Sequence, residues 1–124
     1  MSTVLIVEDN EKNMKLARDV LQAKGYKTLE ATSGEDGVKL AKQHVPDLVL
    51  MDIQLPGING IEAFKQIRAD AKTARVPVVA LTASVTPTDR SAINAAGFDA
   101  FVSKPINLKE FLDTVKRLVG RGAK

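Results

Sequence analysis

The sequence has no cysteine and no tryptophan, and only one histidine and one tyrosine among its 124 residues. Without cysteine the protein can form no disulfide, no thiolate metal site and no thiol nucleophile. No stretch approaches the roughly 18 consecutive apolar residues that a membrane-spanning helix needs. Residues 1–3 lead directly into a strand-like run without the charge pattern of a signal peptide. We therefore expect a cytoplasmic protein that does not insert into membranes.

The length limits the number of domains. A chain of 124 residues corresponds to one domain at roughly 100 to 200 residues per domain. With 44% apolar residues it can bury a core that needs no disulfide or metal to hold it together. We predict a single domain over residues 1–120 and a frayed polar tail over residues 121–124.

The net charge of +3 raises the question of nucleic-acid binding. The basic residues are scattered from Lys12 to Lys124, and their longest run is the pair Lys116 and Arg117. Proteins that bind nucleic acid usually concentrate basic residues on one surface and often interleave aromatic side chains. Solvated helix faces explain the charge better, and we expect no nucleic-acid partner.

Five short segments have the composition of β-strands, and each is followed by a helical pattern. Nearly continuous apolar runs indicate strands covered on both faces, as in a parallel sheet. The segments are 4–7, 48–51 and 76–81, together with an edge strand at 28–31 and a short strand at 100–103. Regular alternation of strands and helices predicts an α/β fold with five parallel strands and five helices on both faces of the sheet.

Four helix starts are marked by a capping side chain three residues before an acid. Pro87 suits the first position of a helix, and Gly25 and Gly97 suit positions where helices end. The capping pairs are Ser33 with Asp36, Asn59 with Glu62, Thr86 with Asp89, and Asn107 with Glu110. The predicted buried helix faces comprise Leu16, Ala17, Val20 and Leu21, then Ile61, Phe64 and Ile67, and finally Leu108, Phe111, Leu112, Val115, Leu118 and Val119.

Polar residues follow the predicted strands at their carboxyl ends, where open α/β sheets bind their ligands. Glu8 and Asp9 follow the first strand, Asp52 the third, Thr82 the fourth and Lys104 the fifth. Two carboxylates about 4 Å apart repel by about 4 kcal/mol at an effective dielectric constant near 20. Lys104 and a divalent cation would balance these charges, and hard oxygen ligands favour Mg²⁺ or Mn²⁺ over Zn²⁺.

These groups suggest phosphoryl transfer. A carboxylate next to a metal ion and an ammonium group can attack phosphorus and form an acyl phosphate. Asp52 is the best candidate nucleophile, since it opens the turn at residues 53–57, and Thr82 could donate its hydroxyl to a phosphoryl oxygen.

Each residue also has a simpler explanation when it is taken alone. Asp9 alone is better explained as the cap of the helix that begins near Glu11. Asp52 alone could serve a turn, and Lys104 alone could be a solvated surface charge. Taken together, however, these separate explanations require four coincidences at one edge of the sheet. His44 lies at the end of the second helix, away from this edge, and we assign it no role.

The same residues carry a family resemblance. The chain resembles bacterial response-regulator receiver domains over nearly its whole length, and within them the single-domain cell-cycle regulators of the DivK type and the receivers of hybrid histidine kinases. The motifs that carry it are Val4-Leu5-Ile6-Val7-Glu8-Asp9-Asn10, Leu50-Met51-Asp52-Ile53-Gln54-Leu55-Pro56-Gly57, Leu81-Thr82-Ala83 and Lys104-Pro105, with Asn13 and Met14-Lys15-Leu16 nearby.

The resemblance implies a role for each matching residue and a flavodoxin-like sheet of order 2-1-3-4-5. Asp52 would be the phosphoacceptor, and Glu8, Asp9, Asp52 and the backbone carbonyl of Gln54 would hold Mg²⁺. Thr82 would be the switch hydroxyl, Lys104 the phosphate-binding lysine in a cis peptide with Pro105, and Phe101 the switch aromatic. Phe101 lacks the hydroxyl of the tyrosine often found there, and its apolar pattern alone indicates a core residue.

The function expected from the resemblance is a phosphorylation-switched signalling module and not an enzyme. It would take a phosphoryl group from a histidine kinase or a histidine phosphotransfer protein, and it would assist its own dephosphorylation. We expect no output domain after the last helix, so that the switched surface around the fourth helix, fifth strand and fifth helix would act on a partner protein. A receiver excised from a hybrid kinase is the alternative, and an aspartyl-phosphate phosphatase is disfavoured because Gln54 cannot act as its general acid.

Overall fold

Ten elements alternate along the chain in the computed structural model, which describes residues 2–53, 55, 57–82, 87–103 and 107–122. The strands are β1 (Thr3–Val7), β2 (Lys27–Ala31), β3 (Leu48–Asp52), β4 (Val78–Thr82) and β5 (Ala100–Ser103). The helices are α1 (Glu11–Ala23), α2 (Gly34–His44), α3 (Gly60–Ala69), α4 (Pro87–Ala96) and α5 (Leu108–Gly122).

The five strands form one parallel sheet in the order β2-β1-β3-β4-β5. Every residue of β3 and β4 is buried, which explains their continuous apolar sequence, whereas β2 at the edge is partly exposed. The predicted fold class and strand order are therefore confirmed.

Two hydrophobic cores lie on opposite faces of the sheet because side chains alternate along a strand. Val4 and Ile6 of β1 contribute to one core, which α1 and α5 cover. Leu5 and Val7 contribute to the other core, which α2 and α3 cover. Helices thus lie on both faces of the sheet. None of the helices in the described part of the chain is long and apolar enough to cross a membrane.

The helix caps largely agree with the prediction. Ser33 Oγ accepts the amide of Asp36 at 3.2 Å, and the side-chain oxygens of Asn59 and Asn107 accept the third amide that follows each of them. The Thr86 cap lies outside the described residues. α4 begins at Pro87, and Gly25 and Gly97 have positive φ angles of 89° and 97°.

The cap of α1 differs from the prediction. Asn10, not Asp9, is the N-cap, and its side-chain oxygen accepts the amides of Lys12 at 3.0 Å and Asn13 at 3.1 Å. The interpretation of Asp9 as a capping residue is therefore wrong, and its carboxylate needs another explanation.

Some predicted boundaries and buried positions were also wrong. β4 begins at Val78 and not at residue 76, since Pro77 has no amide for the sheet hydrogen bonds. The strand continues to Thr82.

Two residues predicted to be buried, Leu16 and Leu108, are 38% and 45% exposed. The buried face of α1 consists of Met14, Ala17 and Leu21, at spacings of three and four residues. Leu16 lies beside this face and not on it. α5 extends to residue 122, and the division into a domain over residues 1–120 and a frayed tail over residues 121–124 stays a prediction.

Candidate functional site

Three carboxylates meet at the carboxyl edge of the sheet. Glu8 and Asp9 directly follow β1, and Asp52 is the last residue of β3, the neighbouring strand. The register pairs Val7 with Met51, so the next residues along, Glu8 and Asp52, lie side by side. One oxygen from each of the three carboxylates lies within 4.8 Å of the others. The predicted grouping of these acids at one edge is what the structure shows.

The three acids differ in burial. Glu8 is 1% exposed and Asp52 4% exposed, whereas Asp9 is exposed to solvent. The amide of Asn10 donates to Glu8 Oε2 at 3.2 Å, and the amide of Glu8 donates to the carbonyl of Ala31 at 2.9 Å. Both ends of Glu8 are thus held in place. The cluster combines two buried carboxylates with one that faces water.

A positive charge nearby would offset the repulsion within this cluster. Carboxylates at this separation repel one another by a few kcal/mol, and burial weakens the screening by water. The amino end of α1, next to Asp9, supplies only a partial positive charge. Three oxygen ligands without nitrogen or sulfur suit a hard divalent cation such as Mg²⁺. The residues therefore fit a metal site.

Ile53 and Gly60 pack tightly against the end of β3. The Ile53 amide donates to the Leu81 carbonyl, and the Gly60 amide donates to the Ile53 carbonyl, both at 3.0 Å. A Cβ atom on Gly60 would lie only 2.1 Å from the carbonyl oxygen of Asp52. Gly60 therefore permits the close approach of α3 to Asp52. Sequence reasoning missed this contact, although the Asn59 cap marks the position immediately before it.

Thr82 and Phe101 lie on the two neighbouring strands at the far side of the site. β4 and β5 pair in register, with Ala80 opposite Phe101 and Thr82 opposite Ser103. Since side chains alternate along a strand, Thr82, Ala80 and Phe101 face the same side of the sheet. Thr82 is 1% exposed and Phe101 is half-buried. Thr82 and Phe101 therefore share one face of two neighbouring strands.

Some predicted site residues lie outside the described part of the chain. They are Gln54, Lys104 and Pro105, so their roles and the cis peptide stay predictions. His44 lies in a groove with Thr3 and Lys27, the first residues of β1 and β2, and hence at the opposite end of the sheet from the acids.

A groove of about 390 Å³ leads from the acidic cluster to the surface between α1 and β2. Its lining residues include Glu8 and Asp9 and, from α1, Met14, Lys15 and Arg18. Arg18 donates to Glu30 of β2 at 3.2 Å and so joins the two sides of the groove.

Fold and site together define a class of protein. The strand order reverses between β1 and β3, and flavodoxin-like α/β proteins bind their ligands at this switch point. The acidic cluster lies at this position, which makes the chain a flavodoxin-like α/β protein with a candidate metal site at the switch point.

Comparisons with known proteins identify the family. Residues 4–116 match the family described as "Response regulator receiver domain". The chain is 45% identical over 118 residues to the polar-differentiation response regulator DivK of Brucella ovis, and the match covers 95% of this chain and 96% of that protein. The chain belongs to the response-regulator receiver domain family, whose members are regulators in two-component signalling and not conventional enzymes.

Solved structures agree with this assignment. The receiver domain of a sensor histidine kinase from Pseudomonas aeruginosa superimposes with a TM-score of 0.90 at 33% identity, covering 96% of this chain and 98% of that one. That domain has a magnesium ion coordinated in its active-site cleft. A chemotaxis response regulator of Vibrio cholerae has a TM-score of 0.89 at 26% identity, covering 95% of this chain and 98% of that one.

Proposed function

We propose that this protein accepts a phosphoryl group on Asp52 from a histidine kinase or a histidine phosphotransfer protein and then signals to a separate partner protein. The observation that carries the proposal is the convergence of Glu8, Asp9 and Asp52 at the switch point of the sheet. Membership of the receiver family supports phosphorylation as the chemistry of this cluster.

Glu8, Asp9 and Asp52 are the side chains that would hold Mg²⁺ or Mn²⁺, together with the backbone carbonyl of Gln54. When bound, the ion supplies positive charge for the equatorial oxygens of the transferred phosphoryl group. The donor set supports this assignment because it offers only hard oxygen ligands.

The proposed transfer requires one nucleophile in a fixed position. A carboxylate oxygen of Asp52 forms a bond to phosphorus while the bond between phosphorus and the donor's imidazole nitrogen breaks. The imidazole keeps the electron pair of the broken bond, and the product is an acyl phosphate on Asp52. Lys104 binds a phosphoryl oxygen. Hydrolysis of the acyl phosphate by water, assisted by the same site, returns the carboxylate.

Thr82 and Phe101 convert phosphorylation into a change of surface in this proposal. Thr82 moves toward the phosphoryl oxygens, and Phe101, on the same face of the sheet, fills the space that Thr82 leaves. The surface formed by α4, β5 and α5 then favours a second packing that the partner binds. A shift from 1:99 to 99:1 in the populations of the two states needs about 5.5 kcal/mol of preference for the active state.

Substitution of the phosphoacceptor tests the proposal. We expect Asp52→Asn to abolish Mg²⁺-dependent labelling by acetyl phosphate and by a phosphorylated histidine phosphotransfer domain. Phosphoprotein gel electrophoresis and intact-protein mass spectrometry measure the label. Asp36→Asn is the matched control, because it removes an exposed carboxylate from the first turn of α2 and should be labelled like the wild type. Undiminished labelling of Asp52→Asn would place the phosphoacceptor elsewhere.

A further inference from the structure

The first turn of α2 contacts Gly57 and Ile58, which lie just before α3. Residues 57–59 are here called the β3–α3 loop. Gly34 is buried against this loop, since a Cβ on Gly34 would lie 2.7 Å from Ile58 Cγ1 and 2.8 Å from the Ile58 carbonyl oxygen. Ile58 in turn packs against the core under α2 and α3. The loop therefore rests directly on the start of α2.

Glu35 adds a polar contact to this packing. Its Oε2 accepts the amide of Ile58 at 3.4 Å, across 23 positions of sequence. A Cβ on Gly57 would lie 2.5 Å from the same oxygen, so the carboxylate occupies the space directly beside the Gly57 backbone. Gly57 has a φ angle of 74°, a conformation that costs glycine little. The Glu35 carboxylate thus meets the loop at its positive-φ glycine.

Gly60, which directly follows the loop and begins α3, meets Asp52. The Gly60 amide donates to the Ile53 carbonyl at 3.0 Å, and the Gly60 backbone closely approaches the Asp52 carbonyl oxygen. Residues 57 and 58 are therefore held by Glu35 on one side, and Gly60, two residues further along, meets the backbone of Asp52 and Ile53. A change in the position of residues 57 and 58 would therefore reach Asp52 through Gly60.

We infer that Glu35 is a positioning residue for phosphorylation, acting by holding the β3–α3 loop in the conformation that orients Asp52. This inference rests on the proposed function of Asp52. Reactive groups held out of place by about 1 Å can lose about two orders of magnitude in rate, so a weak contact at the loop is sufficient to matter. Glu35 itself touches no reacting atom.

Asp36 separates this role from a general effect of charge at a helix start. Both acids lie in the first turn of α2, where negative charge stabilises the helix dipole. Asp36 faces the other way, toward a groove that it lines with Glu30 and Thr32 beside β2. Loss of either carboxylate should therefore affect the helix similarly, but only loss of Glu35 should affect the loop.

The experiment compares Glu35→Ala, Glu35→Gln and Asp36→Ala with the wild type. We expect Glu35→Ala to slow labelling by acetyl phosphate at saturating Mg²⁺ about tenfold, and Asp36→Ala to change it less than about twofold. Glu35→Gln keeps an oxygen acceptor for the Ile58 amide and should restore most of the rate. In metal-free protein, ¹H–¹⁵N spectra should show shifted amide signals for Ile53, Ile58 and Gly60 in Glu35→Ala but not in Asp36→Ala.

Equal slowing and equal amide shifts in Glu35→Ala and Asp36→Ala would overturn the inference, because a charge effect at the helix start would then explain both. Wild-type rates and unshifted amides in Glu35→Ala would overturn it as well. If the wild type itself takes up no label, the proposed function fails. The amide comparison in metal-free protein then still decides whether Glu35 holds the loop.

Discussion

At the scale of single residues, the sequence predicted the acids of the site well because the position of each depends on one strand end. The carboxyl ends of parallel strands share one edge of a sheet, so Glu8, Asp9 and Asp52 could be placed together before any coordinates were known. The contact of Gly60 with Asp52 and that of Glu35 with Gly57 were not predicted. They depend on how a loop packs against another helix, which local sequence does not determine.

The backbone conformation of Val45 is a further feature that the sequence did not predict. It ends α2 with a φ angle of 44°, in the left-handed region, and it is 44% exposed. The left-handed conformation costs an L-residue roughly 1 to 2 kcal/mol. Pro46 follows directly, and a residue before proline prefers an extended backbone, which adds to this cost.

We expect Val45→Gly to raise the free energy of unfolding by about 0.5 to 1 kcal/mol, because relief of the strain outweighs the extra freedom of glycine in the unfolded chain. Urea denaturation followed by circular dichroism measures the change. Val45→Ala is the control, since it keeps the Cβ and hence the strain, and it should not gain stability. Equal gains in both variants would show that the side chain, and not the backbone conformation, is unfavourable.

At the scale of helices and strands, regular patterns predicted most of the fold. The capping side chains of Ser33, Asn59 and Asn107 lie where their spacing placed them, because a cap is a local hydrogen bond. The exposure of Leu16 and Leu108 was not predicted, since an apolar residue at the margin of a helix face is buried only if a neighbouring element covers it.

The connection between α3 and the strands β4 and β5 is a further feature that only the structure reveals. Arg68 of α3 donates to Asp99 Oδ2 at 2.6 Å and to the carbonyl of Val76, and its guanidinium lies 4.9 Å from the centre of the Phe64 ring. Asp99 Oδ2 also accepts the amide of Val78, the first residue of β4, at 2.8 Å. This pair joins three elements at the amino end of the sheet, opposite the acidic cluster.

We expect Asp99→Ala to lower the free energy of unfolding by about 2 kcal/mol, because it leaves the Val78 amide and part of the Arg68 guanidinium without their acceptor. A double-mutant cycle with Arg68→Met and Asp99→Asn should give a coupling of about 1 kcal/mol that decreases with salt, since both side chains are about a quarter exposed. Urea denaturation measures all variants.

The Arg18–Glu30 pair is the matched control for this cycle. Its side chains are 33% and 40% exposed, and its coupling should be smaller, about 0.3 kcal/mol. Labelling of folded Asp99→Ala by acetyl phosphate should stay at the wild-type rate, because the pair lies at the other end of the sheet from Asp52. A coupling no larger than that of Arg18–Glu30 would refute the proposed structural role of Arg68 and Asp99.

At the scale of the whole molecule, the two ends of the sheet differ in what they contribute to stability. The amino end has the Arg68–Asp99 pair, whereas the carboxyl end brings together three acids whose oxygens lie within 4.8 Å of one another. Folding therefore forces these carboxylates into mutual repulsion that the extended unfolded chain avoids. Removal of one charge should stabilise the metal-free protein even though it abolishes phosphorylation.

We expect metal-free Asp52→Asn to exceed the wild type in free energy of unfolding by about 1 to 2 kcal/mol, after allowance for screening by solvent at the exposed Asp9. Mg²⁺ should reverse this order. A ligand that binds only the folded state adds about 2.7 kcal/mol of stability when its concentration is 100 times its Kd. Mg²⁺ should stabilise the wild type more than Asp52→Asn, because Asp52 is one of the proposed metal ligands.

Urea denaturation in EDTA, in MgCl₂ and in KCl of equal ionic strength distinguishes binding from screening. Screening by salt would stabilise the wild type equally in MgCl₂ and KCl, whereas binding at the acidic cluster requires a larger effect of MgCl₂. Asp36→Asn should respond to all three solutions like the wild type, since Asp36 belongs to the exposed start of α2. If metal-free Asp52→Asn is less stable than the wild type, the repulsion among the three acids is already balanced within the folded chain, and the electrostatic argument for a metal ion at this edge fails.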